Sequence, residues 1–410
     1  MKPSLEPNRR NAYLVAALAS FITIAIIALP EQAFQASLDG LRLWWNIVFP
    51  ALLPFFIASD TLMGLGVVHF IGALLEPLMK PLFGVPGVGA FALAMGLASG
   101  YPIGARITAR LRREGLCSRV EAERLVSFTN TADPLFMVGA VAVGMFQLPG
   151  LGPILAASHY VSAILLGFLL KSYGESDKRR KTEEYRREES LLSRAAHELY
   201  TARSQDNRSF GQIFGDAVKD SVGTLLLVGG CIMIFSVVIR VLTVFHITDL
   251  LSAPLIAVLT PLGVPQDLVT SLVGGFFEIT IGTEMASRAT ASIAQKAIAA
   301  SAIIAWSGLS VFAQVASMLF GTDIRLTPYF FARIVHAVLA AIVTAIMLKI
   351  VPWAAQQTIA IPGLSSSPGF LATVSYSCTM LAKTAAIGAS IMAALALLSK
   401  PRAFGFRVKK

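Results

Sequence analysis

The chain has 410 residues, of which 55% are hydrophobic and 14% charged, with a formal net charge of +10 and a mean hydropathy of +0.69. Soluble domains carry about a quarter charged residues, so the composition points to an all-α polytopic membrane protein. The basic excess, which would suggest nucleic acid in a soluble protein, sits in short segments between apolar runs, where the positive-inside rule accounts for it.

A span needs roughly 20 mainly apolar residues, and the chain offers about eight. They are Ala12–Leu29, Leu41–Ser59, Leu135–Phe146 continuing from Val120, Pro153–Leu170, Ser221–Phe245, Ala297–Phe320, Tyr329–Val351 and Thr373–Ser399. Lys2, Arg9 and Arg10 precede the first run as they would precede a signal peptide. The run is long for such a segment and no small-x-small site follows before Glu31, so it is expected to stay as a helix. These charges, the arginines from Arg106 to Arg124, and the basic C-terminal tail place both termini in the cytoplasm. Leu65–Met79, with His69, Glu76 and Pro77, reads as an interfacial or half-length helix.

Four interruptions organise what lies between. Gly87–Ala105 contains Ser99, Gly100, Pro102 and Gly104 where a continuous helix would run, and is read as a hairpin entering and leaving on the cytoplasmic side. Val120–Phe146 is broken by Ser127, Thr129, Asn130, Thr131, Asp133 and Pro134, since proline removes an amide and disfavours helix before it. The second half repeats the pattern with a hairpin around Glu278 and a break at Trp306–Ser310. Lipid leaves open backbone groups unsatisfied, so such bends must be packed in protein or line a wet cavity.

A shift of the chain on itself by 176 sets Pro134-Leu135-Phe136 on Ser310-Val311-Phe312 and the helix with His159 beside that with His336, and a shift of 178 sets Ile103-Gly104 on Ile281-Gly282. This is an ordered internal repeat, with an odd number of spans between equivalent elements, so the copies are expected to be inverted. The expected organisation is N-terminal helices over 1–60 and a first repeat over 61–170, with hairpin 87–105 and broken helix 120–146. A charged cytoplasmic connector at 171–210 follows, with a helix near Glu183–Ala202. The second repeat covers 211–351, with hairpin 266–287 and broken helix 297–320, and a C-terminal helix with a basic tail covers 352–410.

Inverted repeats with broken helices place solutes and coupling ions near the midplane, where half-helix N-termini face anions and freed carbonyls face cations. The candidate substrate and ion contacts are therefore the tip residues Ser99, Gly100, Tyr101, Pro102 and Gly104, and Ser127, Thr129, Asn130, Thr131 and Asp133 in the first broken helix. On the second copy they are Phe277, Glu278, Thr280 and Gly282, then Trp306, Ser307, Ser310 and Gln314. Glu278 reads as a substrate, proton or ion contact or as a structural cap, because an intramembrane carboxylate costs roughly 2.5 to 3.5 kcal/mol unless solvated or paired. Asp133 reads equally as a site group or as the cap of the helix starting at Pro134. Ser307, Ser310 and Gln314 are spaced to share one helix face. Tyr101, Phe277 and Trp306 offer rings for stacking on a planar solute or for packing. Arg106 is read as a topology-setting charge, and His69, His159 and His336 as helix-end or interface residues. Cys117, Cys231 and Cys378 are odd in number and far apart, so no disulfide framework or metal site is indicated. No Walker loop, nucleophile elbow or catalytic carboxylate pair is present, which argues against an enzyme and against ATP-driven transport.

The stretches LASGYPIGARITARLR, EAERLVSFTNTADPLFMVGAVAVGMF and GGFFEITIGTEMAS followed by WSGLSVFAQVAS resemble the YlbJ-type sporulation integral membrane proteins. Those proteins group with the nucleoside-recognition or gate domains also found in concentrative nucleoside transporters. The resemblance covers roughly Leu14 to Leu397. It implies a role in spore formation connected with moving dipicolinate, in the mother-cell or forespore membrane. It also implies a trimeric elevator fold coupled to Na⁺ or H⁺, with no resident cofactor. The sequence has Ser-Gly-Tyr-Pro at the first tip where the nucleoside transporters have a Gln-Thr-Glu run, and Gly308 where they use an asparagine. Both changes remove groups that bind ribose and base. The expected partners are thus a small anionic aromatic solute, the lipid bilayer and further copies of the chain, with no nucleic acid. A non-transporting scaffold of a sporulation complex and a carrier of a nucleoside-like solute are the alternatives.

Overall fold

A computed structural model describes residues 9–101, 103–174 and 190–350. The expected last span Thr373–Ser399, the basic tail, Pro102 and part of the connector lie outside the described residues. Within them the chain is helical, with no strand, and five segments are long and apolar enough to cross a membrane: Pro30–Gly64, Leu151–Leu170, Phe210–Val244, Ile293–Leu319 and Leu326–Ile350.

Helix α1 (Arg9–Ala28) is followed by a 35-residue segment made of α2 (Pro30–Leu43), a π-helical turn at Trp44–Val48, and α3 (Phe49–Gly64). Pro50 and Pro54 remove two amides from this run, and the π turn directly before them is where the winding adjusts. The segment starts earlier than the apolar run at Leu41 because Glu31, Gln32, Asp39 and Arg42 dilute its first turns without ending the helix. It is locked to α10 (Phe210–Val244) by close contact of small groups. A side chain at Gly40 would meet Ser236 Oγ at 2.7 Å and one at Gly229 would meet the Trp44 ring at 2.7 Å, and the Trp44 indole donates to Leu225 O at 2.9 Å.

The two halves then follow one order of elements. In the first half come α4 (Val67–Leu78), α5 (Gly89–Ser99), α6 (Ile103–Arg113), α7 (Arg119–Thr129), the π-wound segment Phe136–Met145 and α8 (Leu151–Leu170). After α9 (Leu191–Gln205) and α10 come α11 (Ile247–Leu259), α12 (Gln266–Phe277), α13 (Ile279–Arg288), α14 (Ile293–Trp306), α15 (Gly308–Leu319) and α16 (Leu326–Ile350). The punctuation matches too. Left-handed residues Gly66 and His246 precede α4 and α11, and left-handed Gly84 and Gly263 lie between those helices and α5 and α12. Capping boxes start α7 (Ser118 with Glu121) and α14 (Ser292 with Gln295); each hydroxyl and acceptor side chain satisfies amides a helix start leaves open.

Helices α8 and α16 run antiparallel. The Tyr173 hydroxyl, just past the end of α8, accepts from Arg325 Nη2 just before α16 at 2.9 Å, and His159 and His336 stack at mid-helix with ring centroids 4.7 Å apart. At that same end Glu123 Oε1 accepts from Arg325 Nε at 2.7 Å, and the Arg112 guanidinium grips Asp323 through two bonds of 2.8 Å. The guanidinium holds the Asp323 carboxyl below its ordinary range. The expected connector helix is α9, which starts later than Glu183 and docks on α4 through Arg194 and Glu76, 2.8 Å apart.

Two apolar clusters carry the fold. One joins Trp44, Val48, Met137, Leu151 and Ile303, the other Phe83, Leu125, Phe128, Val311 and Tyr329, and Tyr101 packs against both.

Candidate functional site

Each half contains a pair of short helices meeting at a break and a longer helix interrupted in its middle. In the first half α5 ends at Gly100, whose φ of 70° suits glycine. The winding of α7 stops at Thr129 and resumes beyond Asp133. In the second half α12 ends at Glu278, which is extended (φ −144°). Between α14 and α15 stands Ser307, left-handed at φ 77°, a conformation that strains a residue with a side chain.

The breaks pack on one another. A side chain at Gly100 would come within 2.8 Å of Asp133 Oδ2, one at Gly104 within 2.6 Å of Thr129 O, and one at Gly308 within 3.1 Å of Glu278 Cα. One at Gly96 would collide with Thr129 O, and one at Gly282 with the backbone of Gly275. The Tyr101 hydroxyl crosses between the halves and donates to Ile304 O in the last turn of α14 at 2.9 Å.

Most of the polar side chains singled out from the sequence are buried here. Ser127 and Thr129 turn their hydroxyls back to Glu123 O and Leu125 O, both at 2.7 Å, and Thr131 donates to Gly96 O at 3.2 Å. Asp133 Oδ1 accepts from the amides of Leu135 at 2.9 Å and Phe136 at 2.8 Å, so this carboxylate caps the helix that follows it. Glu278 Oε2 likewise caps α13 by accepting from Ile281 N at 2.8 Å. Thr280 and Ser310 are buried close to these two breaks.

Three candidates point elsewhere. Trp306 stacks on Phe276 at 5.4 Å, donates to Phe276 O at 3.1 Å and lines an apolar groove of about 340 Å³ with Leu251, Leu255 and Ala302. Phe277 packs edge-on against Phe276. Gln314 faces α10, its amide 3.9 Å from Cys231 Sγ. The left-handed backbone at Ser307 leaves that residue outside α15, so it does not share the face on which Ser310 and Gln314 lie one turn apart.

The centre of the assembly is a residue that the sequence reading passed over. Arg333 on α16 is fully buried. Its Nη1 donates to Asn130 O at 3.0 Å and reaches Ala305 O at 3.4 Å, and its Nη2 donates to Ser127 O. One guanidinium thus bridges the C-terminal ends of both interrupted helices, where the helix dipoles leave negative potential. Tyr329, one turn before it, carries the ring beneath the guanidinium at 5.3 Å, and its hydroxyl accepts from Asn130 Nδ2 at 2.7 Å. His159 and His336 complete the cluster. His159 Nε2 accepts from Ala132 N at 3.0 Å, which puts the proton of the neutral ring on Nδ1. The signal in the sequence was the charge itself, since an arginine inside a 25-residue apolar helix is a functional-site candidate by default.

Buried polar side chains normally find partners. Here Ser99 Oγ, Asn130 Oδ1, Ser307 Oγ, Arg333 Nε and the Nδ1 atoms of His159 and His336 have none. All six lie at the breaks or on α8 and α16 beside them. The arrangement therefore offers both donors and acceptors, flanked by two capping carboxylates and one guanidinium.

A family model described as nucleoside recognition (Gate) matches residues 46–149, a range that holds the first helix pair and the first interrupted helix. The chain is 49% identical over 346 residues to the sporulation integral membrane protein YlbJ of Bacillus subtilis (strain 168), covering 83% of this chain and 84% of that protein. No solved structure matches the chain. With identity at that level over most of both lengths, the chain belongs to the YlbJ family of sporulation integral membrane proteins and is itself an integral membrane protein of a bacterium.

Proposed function

We propose that the chain is a secondary transporter or facilitator that moves a small anionic aromatic solute, dipicolinate foremost, across a membrane during sporulation. The observation that carries this reading is the gathering of unpartnered buried polar groups where the four breaks meet. A structural junction would satisfy those groups internally, since leaving each one open costs about 1 to 3 kcal/mol. A solute with ring and carboxylate oxygens would satisfy them on binding.

In this reading the two halves are an inverted pair and the short helix pairs are re-entrant hairpins. The matched order of elements supports it, as does the antiparallel course of α8 and α16. The pairing of ends supports it as well: α6 is tied to the end of α15 through Arg112 and Asp323, while α13 meets the end of the first interrupted helix through Thr283 and Met145. The first hairpin then faces the cytoplasm and the second the opposite side. Glu278 serves the coupling cation, a proton or Na⁺, and the hydroxyls and amides at the breaks read the solute.

Proteoliposomes holding the purified protein should take up labelled dipicolinate faster than empty vesicles, with excess unlabelled dipicolinate competing and uridine not. Uptake equal to that of empty vesicles would refute the reading, and competition by uridine would redirect it to a nucleoside-like solute.

A further inference from the structure

Two arginines are almost wholly buried in the described part of the protein, at 2% exposure for Arg124 and 0% for Arg333, and they are used differently. Arg124 donates from Nε, Nη1 and Nη2 to the carbonyls of Tyr173, Gly84 and Gly174. Its donor-bearing nitrogens are all engaged, as a structural clamp requires. Arg333 engages Nη1 and Nη2 but leaves Nε without a partner. An N–H of a guanidinium, away from water and without an acceptor, is an expensive group to bury.

The surroundings narrow what would satisfy it. The residues beside its carbonyl acceptors carry open groups of their own, Asn130 Oδ1 on one interrupted helix and Ser307 Oγ just past Ala305 on the other. The carboxylates closest in sequence to the breaks each give one oxygen to amides, Asp133 Oδ1 to Leu135 and Phe136 and Glu278 Oε2 to Ile281. Neither is paired with Arg333. The open edge of a planar guanidinium matches a carboxylate through charge-assisted hydrogen bonds.

We propose that Arg333 is the specificity residue of the site and binds a carboxylate of the solute through its Nε edge. The inference rests on the solute-gate reading and deepens it, since it names the group that distinguishes an anion from a neutral ring. The guanidinium keeps its hold on Ser127 and Asn130 when the solute arrives, so the charge is positioned before binding. Tyr329 supports it from below, and the Ser307 hydroxyl lies within the same junction to meet the second polar edge of the solute.

The test is a thermal-unfolding titration of the detergent-purified full chain with dipicolinate, with its monoamide and with its neutral diamide. Wild type should be stabilised by dipicolinate, with apparent affinity for the diamide about ten- to a hundredfold weaker. Arg333→Gln should lose that discrimination. Because Arg333→Gln also removes support from two helix ends, Asn130→Asp is the second variant. It keeps the size of the side chain and places a carboxylate within the same junction, so it should fold and lose dipicolinate binding at least tenfold. Equal stabilisation of wild type by dipicolinate and diamide would overturn the assignment of Arg333 while leaving the gate reading intact, as would a folded Asn130→Asp protein with unchanged dipicolinate affinity. No stabilisation of wild type by dipicolinate at any concentration would overturn the solute reading and the inference with it.

Discussion

Replacing Gly96 by alanine should lower the stability of the protein by about 3 kcal/mol, the largest effect expected of any single-methyl change. The added carbon would fall on the Thr129 carbonyl oxygen, with Gly104 Cα only 3.7 Å away on the other side. The neighbouring atom is backbone, so no rotamer change relieves the clash. The strand of chain that would have to move is also pinned, by Thr131 to Gly96 O and by Arg333 to Ser127 and Asn130. Overpacking costs typically 1 to 3 kcal/mol and occasionally more; with the backbone fixed on both sides the upper end is expected. Gly223→Ala is the matched control, since nothing lies within 4 Å of its added carbon and alanine is favoured over glycine in a helix by about 0.5 to 1 kcal/mol. Melting curves in detergent should show Gly96→Ala strongly destabilised and Gly223→Ala level with or above wild type. A Gly96→Ala protein as stable as wild type would mean that α5 and the end of α7 are not in contact as described.

Glu278→Gln should leave a folded protein with uptake reduced at least tenfold. The carboxylate sits at the N-cap of α13, where Oε2 accepts from Ile281 N, and a glutamine carbonyl oxygen can accept the same bond. Loss of a cap costs about 0.5 to 2 kcal/mol when nothing replaces it, so the structural penalty of the amide is small. What the amide cannot do is bind Na⁺ with a charge or carry a proton through the cycle. The stability and transport readouts therefore separate: wild-type melting with lost uptake supports an ion-handling role, and wild-type uptake at every pH assigns Glu278 to capping alone.

Much of this architecture was legible in the sequence because breaks in apolar runs are written in residues with few alternatives. Gly100 and Pro134 mark breaks for steric reasons, whereas Gly104 lies inside α6 and serves close packing on Thr129 O. The capping boxes at Ser118 with Glu121 and Ser292 with Gln295 carry a sequence signature of matching helix starts that the sequence reading did not use. The composition of the site was harder to read. Spacing alone put Ser307 on one face with Ser310 and Gln314, whereas its left-handed backbone leaves Ser307 outside α15, and Gln314 on that helix faces α10. Trp306 and Phe277 are aromatic and near the breaks, yet the apolar groove along α11 and α16 takes the indole and Phe276 takes both rings. Arg333 was overlooked because the helix around it reads as a continuous span, and because its partners, carbonyls more than 200 residues away in sequence at Asn130 and Ser127, leave no local pattern.

The central claim is that two equivalent halves stand inverted in the membrane with their breaks forming one site. Single cysteines test it most directly. In a chain with Cys117, Cys231 and Cys378 replaced by serine, Glu114→Cys marks the loop after α6 and Thr290→Cys the equivalent loop after α13, both exposed. A membrane-impermeant maleimide applied to intact cells should label position 290 and reach position 114 only after permeabilisation. Labelling of both positions from the same side would contradict the inverted arrangement and the gate built on it.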